Sequence, residues 1–289
     1  MTRATSAVAD VTVFLLLVGA AATVILSGAS AEHPPTANPA AEQASMLAAS
    51  TAHVSYDLTV PDTDDHLPPE HVTRHRRTAH GTVAQLLGEA AMSNVSVEGN
   101  RLSIAGKDFE SAMRSTARDR LGSPGRKASV RVTWEPYPGA PINGKYRVGD
   151  RPPADTDVRA ATVTVPSGMQ NASAAARSAA ASQGYDGVST VVAREVVDGL
   201  FPADRTRYAL RGDYPADVLM RTRYERAAEL TGVEVAPERQ STVAMNREVT
   251  AALARQLRAD MRSRFDSPAA AARAVRTSEI RVTVRTWSP

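Results

Sequence analysis

Four histidines that lie close together in the sequence are the side chains best suited to chemistry. They are His66, His71, His75 and His80. In a helix, residues four apart share one face, so His71 and His75 could hold a transition metal together. Position 72 is Val and not the Glu of the zinc-protease motif, and three arginines between 74 and 77 would repel a cation. We therefore expect no bound metal and no cofactor. The alternative function is an anchored or secreted hydrolase or metal-binding protein that uses the His66–His80 segment.

Other catalytic motifs are absent from the sequence. It contains no Gly-x-Ser-x-Gly elbow, no phosphate-binding loop and no dinucleotide-binding fingerprint. The recognisable short motifs are two glycosylation sequons, at Asn94 and Asn171, which an exported chain can use where they are exposed. We therefore expect a protein that is not an enzyme.

The composition excludes several further classes of protein. The 289 residues include 34 basic and 31 acidic side chains, and the formal net charge of +3 is too small to indicate a nucleic-acid partner. Cysteine is absent, so the chain has neither disulfides nor thiolate metal sites. Aromatic residues make up 4% of the chain, which argues against a surface that stacks on bases or sugars.

A stretch of apolar sequence near the start indicates where the protein resides. After Asp10, the 21 residues up to Ala31 carry no charge, and in a helix they would span roughly 31 Å, close to the hydrocarbon thickness of a bilayer. Arg3 precedes this span, and the next basic residue is Arg74. Because basic flanks stay in the cytoplasm, we expect a single-pass protein of the cell membrane with a cytoplasmic N-terminus and an extracellular C-terminal domain.

Two processing routes are open for this N-terminal segment. The small residues 29–31 would allow a signal peptidase to cut before Glu32. Alternatively, the short polar leader resembles that of archaeal type IV pilins, and the equivalent cut would fall between Ala4 and Thr5, just after Arg3. In that resemblance Asp10 would pair with the new N-terminal amine of a neighbouring subunit. The other interpretation of Asp10 is an interfacial residue whose side chain reaches back to water.

Several segments together resemble an uncharacterised family of exported haloarchaeal proteins. They are residues 3–26, 77–87, 187–202 and the final strand. The resemblance implies a pilin-like or pseudopilin-like membrane protein of a type IV pilus or Tad-like secretion system, and it implies no catalytic residues. We expect a non-enzymatic component of a surface appendage or envelope assembly system. Its partners would be membrane lipid, through the N-terminal helix, and pilin-like subunits or secretion machinery, with no nucleic acid.

Hydrophobic periodicity predicts an α+β fold after the span. Alternating or turn-linked patterns predict strands at 53–60, 95–97, 102–104, 129–135, 159–165 and 280–287. Helical patterns occur at 40–50, 70–93, 108–121, 170–183, 185–201, 213–230, 240–265 and 267–277. Five prolines and three glycines predict a loop over 136–153.

Two similar strands suggest that the extracellular part has two lobes. Val130–Trp134 and Arg281–Trp287 both alternate Val with polar residues and end in Trp. We therefore expect a short leader at 1–9, the transmembrane helix at 10–31 and a Pro-rich tether at 32–39. A first α+β lobe at 40–135, a linker at 136–155 and a helix-rich second lobe at 156–289 follow.

Overall fold

A computed structural model describes residues 38–58, 75–103, 105–121 and 125–288 of the chain. The strands are β1 Thr51–Leu58, β2 His75–Thr82, β3 Val95–Val97, β4 Asn100–Arg101, β5 Lys127–Trp134, β6 Ile142–Val148, β7 Arg159–Pro166 and β8 Glu279–Trp287. The helices are α1 Pro39–Ala49, α2 Val83–Ser93, α3 Lys107–Leu121, α4 Ser173–Leu200, α5 Ala203–Leu210, α6 Ala216–Thr231, α7 Thr242–Arg264 and α8 Pro268–Arg273. The predicted leader, the predicted span, His66 and His71 lie outside the described residues.

Six strands form one antiparallel sheet in the order β4-β3-β6-β5-β8-β7. At its centre Val132 of β5 lies opposite Tyr146 of β6 and Val282 of β8. Strands β1 and β2 form a separate two-stranded ribbon, in which Thr51 pairs with Thr82. The predicted mixture of α and β structure is confirmed, and the sheet is antiparallel as an α+β fold requires.

One face of the six-stranded sheet forms the core. Alternate residues of its central strands, such as Val130, Val132 and Trp134, are fully buried on this face. Helices α1, α2 and α3 cover it. The C-terminal end of α2 approaches β6 so closely that the Ala91 carbonyl oxygen lies 2.4 Å from the position that a Cβ atom of residue 144 would take. Glycine at 144 therefore sets the distance between helix and sheet.

The later helices pack mainly on one another. Helix α4 packs against α7 and α8, while α6 contacts α5 and α7. Gly184 interrupts α4 with a φ of +62°, so the two helices predicted at 170–183 and 185–201 are confirmed as two segments that meet there. Buried hydrogen bonds support the packing, because Asn246 accepts from the Tyr224 hydroxyl at 2.6 Å and donates to the Phe201 carbonyl at 2.8 Å.

Two predicted elements are wrong. The helix predicted at 70–93 begins at Val83, because residues 75–82 form strand β2 and pair with β1. The loop predicted at 136–153 contains strand β6, whose alternate residues Ile142, Tyr146 and Val148 are buried. The hairpin predicted around 98–101 is confirmed, although its return strand is Asn100–Arg101 and not 102–104.

The two Trp-ended strands lie in the same sheet. Strand β5 pairs with β8 along its whole length, from Lys127 opposite Trp287 to Trp134 opposite Ile280. Residues 39–289 accordingly form one compact unit, with a shared core on both sides of 136–155, instead of two lobes. Since this unit buries a core of its own, we expect it to fold without residues 1–38.

A helix that crosses a bilayer must be both long and apolar. Within the described ranges, no helix combines the length and the hydropathy that a membrane crossing demands. The predicted transmembrane segment at 10–31 belongs to the part that is not described.

Candidate functional site

The face of the sheet opposite the core is rich in basic side chains. Strand alternation directs the odd-numbered residues of β5, β6 and β8 away from α1, α2 and α3. We call this surface the basic face and define it by its Lys and Arg residues. They are Lys127, Arg131, Lys145, Arg147, Arg281 and Arg285. All six are exposed or half-exposed. Towards the Lys127 end of this face Ser129 and Trp287 are buried, so its open part is the region around Arg131, Lys145 and Arg147.

Register places like charges next to one another on this face. Arg131 of β5 lies directly opposite Arg147 of β6. Burial lowers the pKa of Arg147 below its ordinary value, and the positive charges of Arg151, Arg131 and Arg285 lower it further. The four guanidinium groups therefore share one positive field. Like charges directly opposite in a sheet are destabilising, so this arrangement costs stability in the isolated chain.

Acidic residues near the basic face do not neutralise this cluster. Glu135, which follows β5, accepts a hydrogen bond from Arg281 at 2.6 Å and is thereby already paired. The loop after β6 carries Asp150, Asp155 and Asp157. In the part of the chain that the structure describes, none of these carboxylates forms an ion pair with Arg131, Arg147, Arg151 or Arg285. The four arginines are available to anions from outside.

The side chains of the basic face are suited to binding anions. A guanidinium group presents a planar fork of N–H donors that fits carboxylate and phosphate oxygens. The neighbouring outward positions hold hydroxyl groups, and Thr162 and Thr283 are hydrogen-bonded across β7 and β8 at 2.9 Å. The groups are spread over a sheet and do not converge in a cleft, which favours docking over catalysis.

Removing one of the opposed arginines should stabilise the unit. We expect Arg131→Thr to raise the free energy of unfolding by about 0.5 kcal/mol at low salt, because the repulsion from Arg147 is lost and Thr suits a strand. The gain should shrink as added salt screens the charges. Urea denaturation at low and high salt measures both effects.

Lys145→Thr is the matched control for that substitution. Lys145 lies on the same face and opposite Thr133, so no like charge stands directly across from it. A smaller gain is expected there. Equal gains from both substitutions, or a loss of stability for Arg131→Thr at low salt, would contradict a repulsive Arg131–Arg147 pair.

A second basic feature is a groove of about 380 Å³ between α4 and α7. Its arginines are Arg194, Arg247, Arg255 and Arg258. Arg258 donates to Asp186 at 2.9 Å, whereas the other three have no ion pair among the described residues. This groove therefore provides a basic surface separate from the sheet.

The two described histidines of the predicted cluster do not form a helical pair. His75 and His80 are both on strand β2, where the ring of His80 stacks on that of His53 at 4.2 Å and the ring of His75 lies 5.4 Å from that of Tyr214. The helix that would have aligned His71 with His75 is not formed at His75. In the described ranges, no group of three or more His, Asp or Glu residues is placed to hold a metal ion.

The other predicted site residues fall into two groups. Arg3, Ala4, Thr5 and Asp10, the leader-processing candidates, lie outside the described residues. Of the two sequons, Asn94 is half-buried and its amide nitrogen donates to the Lys145 carbonyl at 2.7 Å. Asn171 is exposed, and its side-chain oxygen accepts from the Ser173 backbone amide at 2.9 Å.

These contacts predict which sequon is used in a glycosylating host. The amide nitrogen is the atom that carries the glycan, and at Asn94 it is engaged in a hydrogen bond. We expect a glycan on Asn171 and none on Asn94, as measured by mass spectrometry of peptides from the exported protein. A glycan on Asn94 beside an unmodified Asn171 would contradict this assignment.

The basic face itself is not part of the sequence predictions. Its arginines stand among acidic residues along the chain, and the expected loop at 136–153 conceals the strand that carries Lys145 and Arg147. The available signal is the alternation of Arg with Val in β5 and β8. That alternation predicts strands with one polar face, but the opposition of Arg131 and Arg147 follows only from register.

One of three comparisons with known proteins finds a match, and it covers nearly the whole chain. No curated protein and no solved structure matches the chain. The sequence profile of a family of unknown function, DUF7284, matches residues 9–287. This match includes the uncharged N-terminal stretch, the sheet with its basic face and the helices that follow. The chain therefore belongs to DUF7284.

Proposed function

We propose that the protein is a single-pass, membrane-anchored, non-enzymatic extracytoplasmic protein, acting as a pilin-like component of a surface appendage or of a secretion or envelope assembly system. The observation that carries this proposal is the uncharged stretch of 21 residues that precedes the compact unit at 39–289. The seven residues at 32–38 between them include two prolines and reach at most about 25 Å. Such a tether would hold the unit near the membrane.

The basic face supports a docking role for the unit. Six Lys and Arg side chains lie on an open sheet surface, and the groove between α4 and α7 adds more arginine. Proteins that assemble with others need exposed, chemically distinct surfaces, whereas hydrolases need a pocket with convergent acid, base or nucleophile. The hydrolase or metal-binding alternative uses the His66–His80 segment, of which the described histidines, His75 and His80, both lie on strand β2.

Contacts within the membrane provide the other part of the proposal. Residues 19–23 of the predicted span are Gly, three Ala and Thr. Small residues allow transmembrane helices to approach closely, which would let this span pack against like subunits or assembly machinery. The extracytoplasmic unit and the span would then contact different partners.

Cell fractionation of the native host, followed by N-terminal sequencing, tests the proposal. We expect the protein in the membrane fraction, its C-terminal unit accessible to protease from outside, and a mature chain that begins at Thr5. An intact N-terminus in the membrane would indicate a simple anchor without pilin-type processing. A mature chain that begins at Glu32 and is released from cells would overturn the anchored function, as would full-length protein in the cytosol.

A further inference from the structure

We propose that the basic face is a membrane-docking surface that binds anionic phospholipid headgroups. This inference rests on the proposed function in one respect, because the anchor is what brings the unit close to lipid. It adds a binding role for the sheet and a ligand class, the phosphate-bearing headgroup. The supporting observations are the charge, the shape and the composition of the face.

The charges are close enough to act together. Neighbouring strands lie about 4.8 Å apart, and diagonal positions across a strand pair about 7–8 Å. Arg131 lies opposite Arg147 and diagonal to Arg285, since its direct partner in β8 is Thr283. These separations are comparable with the Debye length of about 8 Å at physiological ionic strength. A negative surface laid on the face would therefore meet all three guanidinium groups at once.

The shape of the face matches a flat partner. Its basic groups extend over the three adjacent strands β6, β5 and β8. A small anion would be held at one or two guanidinium groups, whereas a headgroup layer can engage the whole array. The neighbouring outward residues Thr133, Thr162 and Thr283 add hydroxyl groups that can donate to phosphate oxygens.

The composition argues against a nucleic-acid strand as the occupant. Binding of single strands combines basic grooves with aromatic platforms on which bases stack. The odd-numbered residues of β5, β6 and β8 include one aromatic side chain, Trp287, and it is buried, so these strands offer no exposed ring for base stacking. An acidic protein surface would satisfy the same charges, and the experiment separates it from lipid.

The opposed arginines explain why an anionic partner would be bound strongly. Repulsion between Arg131 and Arg147 raises the free energy of the unbound unit, and an anionic surface relieves it. Each Lys or Arg near an anionic bilayer contributes roughly fivefold to the affinity. Replacing both arginines should therefore weaken binding by roughly 30-fold.

The experiment uses residues 39–289, which form one compact unit with its own core. Binding is measured by co-sedimentation with vesicles of phosphatidylcholine, with and without phosphatidylglycerol, at two salt concentrations. We compare the unaltered unit with the double variant Arg131→Gln, Arg147→Gln. The matched control is Arg194→Gln, Arg255→Gln, which removes the same net charge from the groove between α4 and α7. Thermal unfolding of each variant shows whether it is folded. If the double variant does not fold, the vesicle experiment uses the single variant Arg131→Thr in its place.

If the face docks on lipid, the unaltered unit binds vesicles that contain phosphatidylglycerol, and added salt weakens this binding. The affinity falls by roughly 30-fold in the variant Arg131→Gln, Arg147→Gln and is retained in the variant Arg194→Gln, Arg255→Gln. Three outcomes would overturn lipid docking. They are no binding to anionic vesicles, equal losses in the two variants, and binding to polyglutamate or inorganic phosphate that anionic vesicles do not displace. The tested unit lacks residues 1–38, so an absence of vesicle binding would contradict lipid docking without contradicting the proposed membrane anchor. Conversely, full-length protein in the cytosol would contradict the anchor without changing the vesicle result.

Discussion

Replacing Trp134 with alanine should lower the free energy of unfolding of residues 39–289 by about 4 kcal/mol, the largest loss that we expect from a single side chain. Trp134 is fully buried at the end of β5, and its indole N–H donates to the Thr277 carbonyl at 2.9 Å. The substitution would remove the largest side chain in the core and leave a cavity beneath α2. Urea denaturation followed by circular dichroism measures the loss.

The variant Trp134→Phe separates the contribution of core packing to stability from that of the indole hydrogen bond. Phenylalanine fills much of the same volume and cannot donate to Thr277, while Ser167 still donates to that carbonyl oxygen at 2.8 Å. We expect this variant to lose no more than about 2 kcal/mol, since the acceptor retains a partner. A loss as large as that of the alanine variant would mean that the indole hydrogen bond, and not core packing, dominates at this position.

Much of the fold can be predicted because burial leaves a periodic pattern in the sequence. Strands β5, β7 and β8 alternate Val with polar residues, and helix α7 repeats apolar side chains on one face. Helix caps can also be predicted from the sequence, as at the start of α8, where the Ser267 side chain accepts a hydrogen bond from the Ala270 amide. In these segments local preference and tertiary packing agree, which is the condition under which sequence patterns predict structure.

The predictions are wrong where tertiary contacts override local preference. Residues 75–82 carry no apolar alternation, and they form a strand because β1 offers a partner for their backbone groups. Strand β6 begins after Pro141 and contains Gly144, so its composition resembles that of a loop. Glycine is required at 144 because α2 approaches the strand there, a long-range contact that no local pattern reveals.

The basic face could not be predicted from the sequence for a related reason. The net charge is a sum over the whole sequence, whereas the basic face depends on which charged residues lie on the same side of the sheet. Arg131 and Arg147 are 16 positions apart in the sequence and become opposed only through the pairing of β5 with β6. Anionic partners respond to the local field and not to the total charge of +3. A nearly balanced chain can thus carry a strongly basic surface.

Thr277→Val should lower the free energy of unfolding by about 3 kcal/mol, although it hardly changes side-chain volume. The Thr277 hydroxyl is fully buried, donates to the Gln170 carbonyl at 2.7 Å and accepts from the Ala172 amide at 3.1 Å. These bonds join the segment before β8 to the segment that leads into α4. Valine would leave the buried Ala172 amide and the partly buried Gln170 carbonyl unpaired, and each such loss costs about 1–3 kcal/mol.

Thr277→Ser is the control that keeps the hydroxyl and removes only the methyl group. It should cost about 1 kcal/mol, less than the valine variant, because both hydrogen bonds can be retained. Hydrogen exchange offers a second readout, since the Ala172 amide should lose protection in the valine variant and keep it in the serine variant. If the serine variant were less stable than the valine variant, apolar packing around residue 277 would contribute more to stability than its two hydrogen bonds.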